Sequence, residues 1–331
     1  MRILLTGATG FVGSALLTRW AAESGLEVVA AARRGGCPPQ GVSAVHAADL
    51  APDTRWEAAL AGVDVVVHTA ARVHVMNDTA ADPLAEFRRV NVAGTLNLAR
   101  QAAAAGARRF VFISSIKVNG EQTPASQPFK ADDRPAPLDS YGISKLEAEL
   151  GLQQIARETG MEYVVIRPTL VYGPGVKANF LAMMRWLDKG VPLPFGAIHN
   201  HRSLVALDNL VDLITLCLTH PAAANQVWLV SDGEDVSTSG LLRRMAQALG
   251  RPARLIPVPQ AWLEMGARIL GRRDLAQRLF GNLQVDITKT RTQLGWTPPV
   301  ALDQALAQAA VTFTGNRAAK RSGPNKPNGF V

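Results

Sequence analysis

The sequence predicts an α/β fold: a doubly wound parallel sheet followed by a smaller mixed α/β C-terminal lobe. Three observations carry that expectation. Short, almost wholly apolar runs recur along the first half of the chain, helical patterns separate them, and the first run turns straight into a glycine cluster. Apolar strands alternating with helices belong to a parallel sheet covered on both faces.

Taken in order, "RILLTG" at 2–7 reads as a strand, and a helical pattern runs from Phe11 to about Ser24. "EVVAAA" at 27–32 and "DVVVHTAA" at 64–71 read as the next strands, and the alanine-rich "GTLNLARQAAAAG" as a helix ending at Gly106. "RFVFISS" and "EYVVIRP" follow as strands, with a helix over Tyr141–Thr159 between them. After Pro174 the rhythm changes to "PLPFG", "DGEDVSTSG" and "GRPARLIPVP", which predicts the smaller lobe. The expected organisation is a dinucleotide-binding domain over 1–174, with 203–220 ("SLVALDNLVDLITLCL" at 203–218) returning as strand and helix. A substrate lobe is expected over 175–202 and 221–314, and a flexible basic tail over 315–331.

At 331 residues the chain can bury a large core. Its two cysteines, Cys37 and Cys217, cannot build a disulfide framework, and no leader pattern opens the sequence, so a reducing cytoplasm is the expected compartment. No apolar run reaches membrane-spanning length, so no stable membrane insertion is expected. The net charge is +8, but Arg317, Lys320, Arg321 and Lys326 lie in the tail, leaving 8 − 4 = +4. No basic stripe interleaved with aromatics accompanies it, which argues against nucleic acid. The histidines His68, His74, His199 and His201 lack carboxylate or cysteine neighbours at ligand spacing. They read as polar loop residues, and no metal is expected.

Gly7, Gly10 and Gly13 stand where the first strand meets the first helix, which opens with Phe11 and Val12. Such a turn lets backbone N–H groups and the helix N-terminus approach a diphosphate, so it predicts a dinucleotide. NAD binders usually place an acid at the end of the second strand. Here Ala32 stands in that place, followed by Arg33 and Arg34. Two guanidiniums suit a 2′-phosphate, so NADP is preferred and NAD remains open. In "YGISK", Tyr141 and Lys145 are four apart and share one helix face. Alone they would read as ordinary surface residues; with a cofactor upstream they become a candidate acid-base pair.

The ordered set "TGATGFVG" (6–13), "AADL" (47–50), "HTAA" (68–71), "NVAGT" (91–95), "FISS" (112–115), "YGISK", "RPTLVYGPG" (167–175) and "LGWTPP" (294–299) resembles the extended short-chain dehydrogenase/reductase superfamily, in its nucleotide-sugar epimerase/dehydratase branch. The resemblance implies a Rossmann-type sheet and assigns Ser115, Tyr141 and Lys145 as catalytic. It places Asp49 and Leu50 at the adenine, Ala70 and Ala71 along the diphosphate or ribose, and Asn91, Lys145 and Pro168 in the cofactor site. Asn179 and Arg202 would meet the nucleotide diphosphate of a UDP-sugar, beside Ser115 and Tyr141 at the sugar. It also implies a homodimer through the helices around Val90–Ala105 and Tyr141–Glu158.

Hydride transfer at a sugar carbon needs a proton to leave or join the attached oxygen. A phenol near pKa 10 serves at neutral pH only if its phenolate is favoured, and a cation one turn away, such as Lys145, together with the positive nicotinamide ring is expected to favour it. Dehydratases of the branch follow the catalytic hydroxyl residue with Asp-Glu. Here Ile116 and Lys117 follow Ser115, so dehydration is excluded. The missing acid at Ala32 with Arg33 and Arg34 favours reduction, and the resemblance implies a 4-ketoreductase acting on a UDP-2-acetamido-2,6-dideoxy-4-hexulose in surface-polysaccharide biosynthesis. Two alternatives stand beside it: a UDP-glucose or UDP-GlcNAc 4-epimerase with retained NAD, and a non-catalytic dinucleotide-binding regulatory or assembly protein.

Overall fold

The computed structural model describes residues 1–32, 42–46, 49–73, 82–271 and 273–321. It divides into two compact units. The larger comprises Met1–Val171, Ser203–Asp235 and Asn282–Pro299; the smaller comprises Tyr172–Arg202, Val236–Gly281 and Val300–Val331.

In chain order, the elements begin with β1 (Arg2–Thr6), α1 (Phe11–Ala21), β2 (Glu27–Ala32), β3 (Val42–His46), α2 (Glu57–Leu60) and β4 (Val65–His68). Next, α3 (Pro83–Phe87) passes through a π-helical stretch, Arg88–Gly94, into α4 (Thr95–Ala104). Then come β5 (Arg109–Ile113), a 3₁₀ turn (Ile116–Val118), α5 (Ser140–Thr159), β6 (Glu162–Pro168), β7 (Leu170–Tyr172) and α6 (Ala178–Asp188). The chain continues through β8 (Arg202–Ala206), α7 (Leu207–Cys217), β9 (Gln226–Val230), β10 (Asp235–Val236), α8 (Thr238–Ala248), α9 (Gln260–Ile269), α10 (Arg273–Phe280), α11 (Thr288–Leu294) and α12 (Leu302–Arg321).

Among the described residues seven strands form the main sheet in the order β3-β2-β1-β4-β5-β6-β9, and every pairing is parallel. This is the Rossmann-type doubly wound sheet. A second sheet has three strands, in the order β10-β8-β7. Alternate residues of each main strand point to opposite faces. Ile3, Leu5, Val65, Val67, Val111 and Ile113 pack on one side with Leu16 and Trp20 of α1 and Leu210 and Ile214 of α7. Leu4, Val66, Phe110, Phe112 and Val165 pack on the other with Leu98 and Ala102 of α4 and Leu152 and Ile155 of α5. Both faces are covered, which is why these strands carry so little polar residue.

The strand order reverses between β1 and β4. In doubly wound sheets ligands bind at that point, outside the C-terminal strand ends.

The lobe expected over 221–314 differs from the observed partition. β9 pairs with β6 as the seventh strand, and α11 packs with it, so 203–235 and 282–299 belong to the larger unit. Trp296 fastens the return, its indole N–H donating to Asp212 at 2.9 Å. That bond also accounts for an acid inside the apolar α7. Of the tail expected to be flexible over 315–331, the part to Arg321 instead continues α12, where Arg317 pairs with Asp188 of α6, and 322–331 lie outside the described residues. Buried Leu302, Leu306 and Ala309 carry the helix past Gly315, whose penalty of about 1 kcal/mol is small against that burial.

The smaller unit is helical, with α8 packed against α6 and α12, and α9 against α10. Its charge differs from its neighbour's. It holds 16 basic and 4 acidic residues, 16 − 4 = +12, against 19 − 23 = −4 in the larger unit. Among the described residues, no helix is long and apolar enough to cross a membrane.

Candidate active site

The glycine turn is built for close approach. Gly7 takes φ +72°, and a Cβ there would stand 2.6 Å from the backbone nitrogen of Ala70 and from Thr69 Oγ1. A Cβ on Gly13 would run into the Gly7 carbonyl. The loops after β1 and β4 therefore meet backbone to backbone, which brings Gly7, Gly10, Ala70 and Ala71 to one place. Gly10 caps α1 without a side-chain hydrogen bond, and no acid stands in the first turn. No carboxylate of the helix's own first turn competes for the N–H groups of Phe11, Val12 and Gly13. This cradle fits the diphosphate of a dinucleotide.

Asp49 and Leu50 follow β3; the Asp49 carbonyl accepts from Thr54 Oγ1 at 2.5 Å. Leu50 is buried, and its carbonyl lies so near Gly94 that a Cβ there would approach to 2.8 Å. Asn91 sits buried in the π-helical stretch, an irregularity frequent at functional sites. Its Oδ1 accepts from the Arg72 N–H at 2.8 Å, and its Nδ2 donates to the Arg72 carbonyl and to Ser144 Oγ, each at 3.0 Å. One side chain so ties the loop after β4 to α5. Pro168 ends β6, in register with Val230. Arg33 and Arg34 lie outside the described residues, as does His74.

Ser115 caps the 3₁₀ turn, its Oγ accepting from the Lys117 N–H at 3.3 Å. Asp139 caps α5 by accepting from the Gly142 N–H at 2.7 Å, and it also pairs with Lys117. Gly142 lets the two turns touch, since a Cβ there would come within 2.9 Å of the Lys117 carbonyl. Ser115 and Tyr141 are therefore presented by abutting turns. Tyr141, partly buried, meets the Phe87 ring edge-on with centroids 6.2 Å apart.

Lys145 is buried, donates to the Ile113 carbonyl at 2.7 Å and lies 4.2 Å over the Phe112 ring. Burial pushes its pKa down to about 7, opposed by the charge of Glu149. Burial, with Asp139 adding, lifts the Tyr141 hydroxyl above the ordinary phenol range. Of the two charges expected to favour the phenolate, Lys145 alone does not suffice: desolvation outweighs a cation that holds its own proton weakly.

Beneath these groups lies a polar network absent from the sequence expectation. Glu149 receives both Arg167 Nε at 3.0 Å and Nη2 at 2.5 Å, and Ser114 donates to the same carboxylate. Arg167 Nη1 also donates to Asn119 Oδ1 at 2.9 Å, and Asn119 Nδ2 donates to the Lys130 carbonyl at 2.9 Å. Ser114 and Asn119 bracket Ser115 and its turn, so the ion pair holds that turn at both ends. Two signals were available: Glu149 continues the Tyr141–Lys145 face by four residues, and Arg167 interrupts an apolar strand that is then buried.

His68 also departs from its polar-loop reading. It ends β4, fully buried, with Nδ1 2.6 Å from Thr6 Oγ1 and Nε2 3.0 Å from Thr95 Oγ1. Burial, with the charge of Lys145, pushes its pKa down to about 3, so it is a neutral part of the core. His199 and His201 stand exposed in the loop before β8. Among the described residues no group of three His, Cys, Asp or Glu could hold a metal ion.

Asn179 and Arg202 belong to the smaller unit. Asn179 is exposed on the first turn of α6. Arg202 donates to the Gly281 carbonyl at 3.0 Å, and burial lowers its pKa.

The parallel sheet with the glycine turn after its first strand defines a Rossmann-type protein whose cradle fits a dinucleotide. Residues 3–231 match the model of the NAD dependent epimerase/dehydratase family, and the chain belongs to that family. A UDP-glucose 4-epimerase of Vibrio cholerae is 51% identical over 312 residues, covering 94% of this chain and 95% of the relative. One from Mycolicibacterium smegmatis is 29% identical over 338 residues, covering 95% and 98%. Among solved structures, UDP-glucuronic acid 4-epimerase from Bacillus cereus, in complex with NAD, matches with TM-score 0.77 and 21% identity, covering 96% of this chain and 99% of that one. RMD from Pseudomonas aeruginosa, complexed with NADPH, matches with TM-score 0.74 and 24% identity, covering 95% and 99%. These two likenesses concern the fold.

Proposed function

We propose that this chain interconverts the C4 epimers of a UDP-hexose with a nicotinamide dinucleotide held in the glycine cradle. The observation that carries the reading is the 51% identity to a UDP-glucose 4-epimerase, extending over almost the whole of both chains. When bound, the nicotinamide supplies the hydride acceptor and donor. Gly7, Gly10, Phe11, Val12 and Gly13 hold the diphosphate, Asp49 and Leu50 the adenine end, and Ala70, Ala71, Asn91 and Pro168 the path to the nicotinamide. Lys145 holds the nicotinamide ribose. With the positive charge of the bound nicotinamide offsetting its burial, Tyr141 would take the proton of the C4 hydroxyl and return it to the carbonyl oxygen, while Ser115 donates a hydrogen bond to that oxygen. Asn179 and Arg202 hold the nucleotide diphosphate. The protein acts in the cytoplasm as a homodimer through α4 and α5; a monomer at every concentration in sedimentation would overturn that assembly.

A second reading is a 4-ketoreductase of a UDP-2-acetamido-2,6-dideoxy-4-hexulose in polysaccharide biosynthesis, with NADP preferred. It is favoured by one sequence observation, the missing acid at Ala32 followed by Arg33 and Arg34. Incubation with UDP-glucose or UDP-GlcNAc decides the matter. The epimerase gives the C4 epimer with no net change in cofactor absorbance; the ketoreductase instead oxidises NADPH when given the 4-keto-6-deoxy sugar. Tyr141→Phe is expected to lower turnover about a thousandfold. Unchanged turnover in that variant would refute the mechanism under either reading.

A further inference from the structure

Helix α9 has two apolar faces. Leu263 and Ala267 pack inward with Ile198, Ala276 and Phe280. Trp262, Met265 and Ile269, at spacings of three and four, share another face and stand 69%, 57% and 80% exposed; Leu270 closes the helix at 77%. An amphipathic surface helix needs only the first face, and an exposed tryptophan beside exposed Met, Ile and Leu marks an interaction site.

The charge of the unit that carries α9 says what covers it. Its net charge is +12, and Arg185, Lys189, Arg254 and Arg268 are among its exposed cations. A nucleotide diphosphate calls for one or two cations, so substrate binding leaves most of this excess unexplained. A single-stranded nucleic acid would call for aromatic stacking platforms along a basic groove, whereas α9 offers one tryptophan among aliphatic side chains. Aliphatic and indole side chains on one helix face, with Arg268 on the same helix and further exposed cations on the same unit, match the interface of a bilayer: the apolar groups enter the acyl boundary and the cations reach the phosphates. Neither signal suffices alone, since stable peripheral binding takes an apolar insertion together with a basic surface.

We infer that the smaller unit docks on the surface of a bilayer rich in anionic phospholipid, with Trp262, Met265, Ile269 and Leu270 entering the headgroup boundary. The contact is peripheral and does not rest on the proposed sugar chemistry.

Flotation of the full chain with vesicles of equal parts phosphatidylglycerol and phosphatidylcholine tests this. The protein should float with them, stay behind with pure phosphatidylcholine, and dissociate as salt rises. The double variant Trp262→Ser/Ile269→Ser should lower the partition coefficient about tenfold. Its unfolding temperature and its turnover of soluble substrate should stay unchanged, because neither residue belongs to the candidate active site. Arg268→Glu should weaken binding to anionic vesicles as well. Equal partition of the double variant and the parent would overturn the inference. So would failure of the parent to bind anionic vesicles. Self-association in sedimentation that the double variant abolishes, with vesicle binding intact, would assign the face to a second copy instead. Retention on polyglutamate but not on vesicles would assign the charge to an acidic protein partner.

Discussion

The larger unit holds a charge pair closed to water; the smaller carries its charge in excess and near the surface. Arg167 and Glu149 lie within the fold with side chains 4% and 1% exposed, each fully engaged in a network that also takes in Ser114 and Asn119. In the smaller unit, Asp188 is 8% exposed, but its partners Arg251 and Arg317 are 50% and 39% exposed. The two carboxylates are similarly covered, yet water reaches the cations of one and not of the other. A charge pair closed to water positions a site and is costly to break, whereas one whose cations remain wet contributes little to stability.

The largest effect is expected at Glu149. Glu149→Gln leaves Arg167 buried with an uncompensated charge, which costs about 3–5 kcal/mol. It also frees the turn that presents Ser115. Replacing both partners, Glu149→Leu with Arg167→Met, should restore most of the stability in denaturant unfolding while turnover stays low. Recovery of turnover along with stability would mean that the network serves packing alone and positions nothing.

A smaller and pH-dependent effect belongs to Lys145. Its folded pKa of about 7 lies below its unfolded value near 10.4, so between those values the unfolded chain binds more protons. Stability therefore rises with pH through that window, and the penalty is complete below pH 7. Lys145→Met removes the titrating group. The variant should gain stability relative to the parent on the acid side by an amount on the order of a few kcal/mol, and the gain should fade toward pH 10. A difference between the two proteins that does not vary with pH would show that Lys145 keeps an ordinary pKa in the fold.

Much of the larger unit is legible in the sequence because its signals are local. β1, β2, β4, β5 and β6 are apolar runs, and the glycine turn and the Tyr141–Lys145 spacing lie within single short segments. β3 is not legible in the same way: "VSAVH" is short and mixed, and it becomes a strand by pairing with β2. β9 reads as part of another lobe because its place beside β6 is fixed by tertiary pairing across about sixty residues of chain. The Glu149–Arg167 pair joins a helix to a strand, and only the fold reveals that no water separates them. The second face of α9 is hidden for the opposite reason. Its apolar residues have the spacing of a core, and the sequence does not say that they stand exposed among the described residues.

The smallest effect is expected at Asp188. Asp188→Asn removes the carboxylate that Arg251 approaches to 3.4 Å and that Arg317 also engages. Both guanidiniums remain wet, so the loss should be at most about 1 kcal/mol. The variant also raises the charge of an already basic unit, and that repulsion is screened by salt. The cost should therefore shrink as ionic strength rises, whereas the cost of Glu149→Gln should not. Unfolding both variants across a salt series separates the two kinds of pair. If Asp188→Asn proves as costly as Glu149→Gln and equally indifferent to salt, exposure of the cations is not what distinguishes the two units.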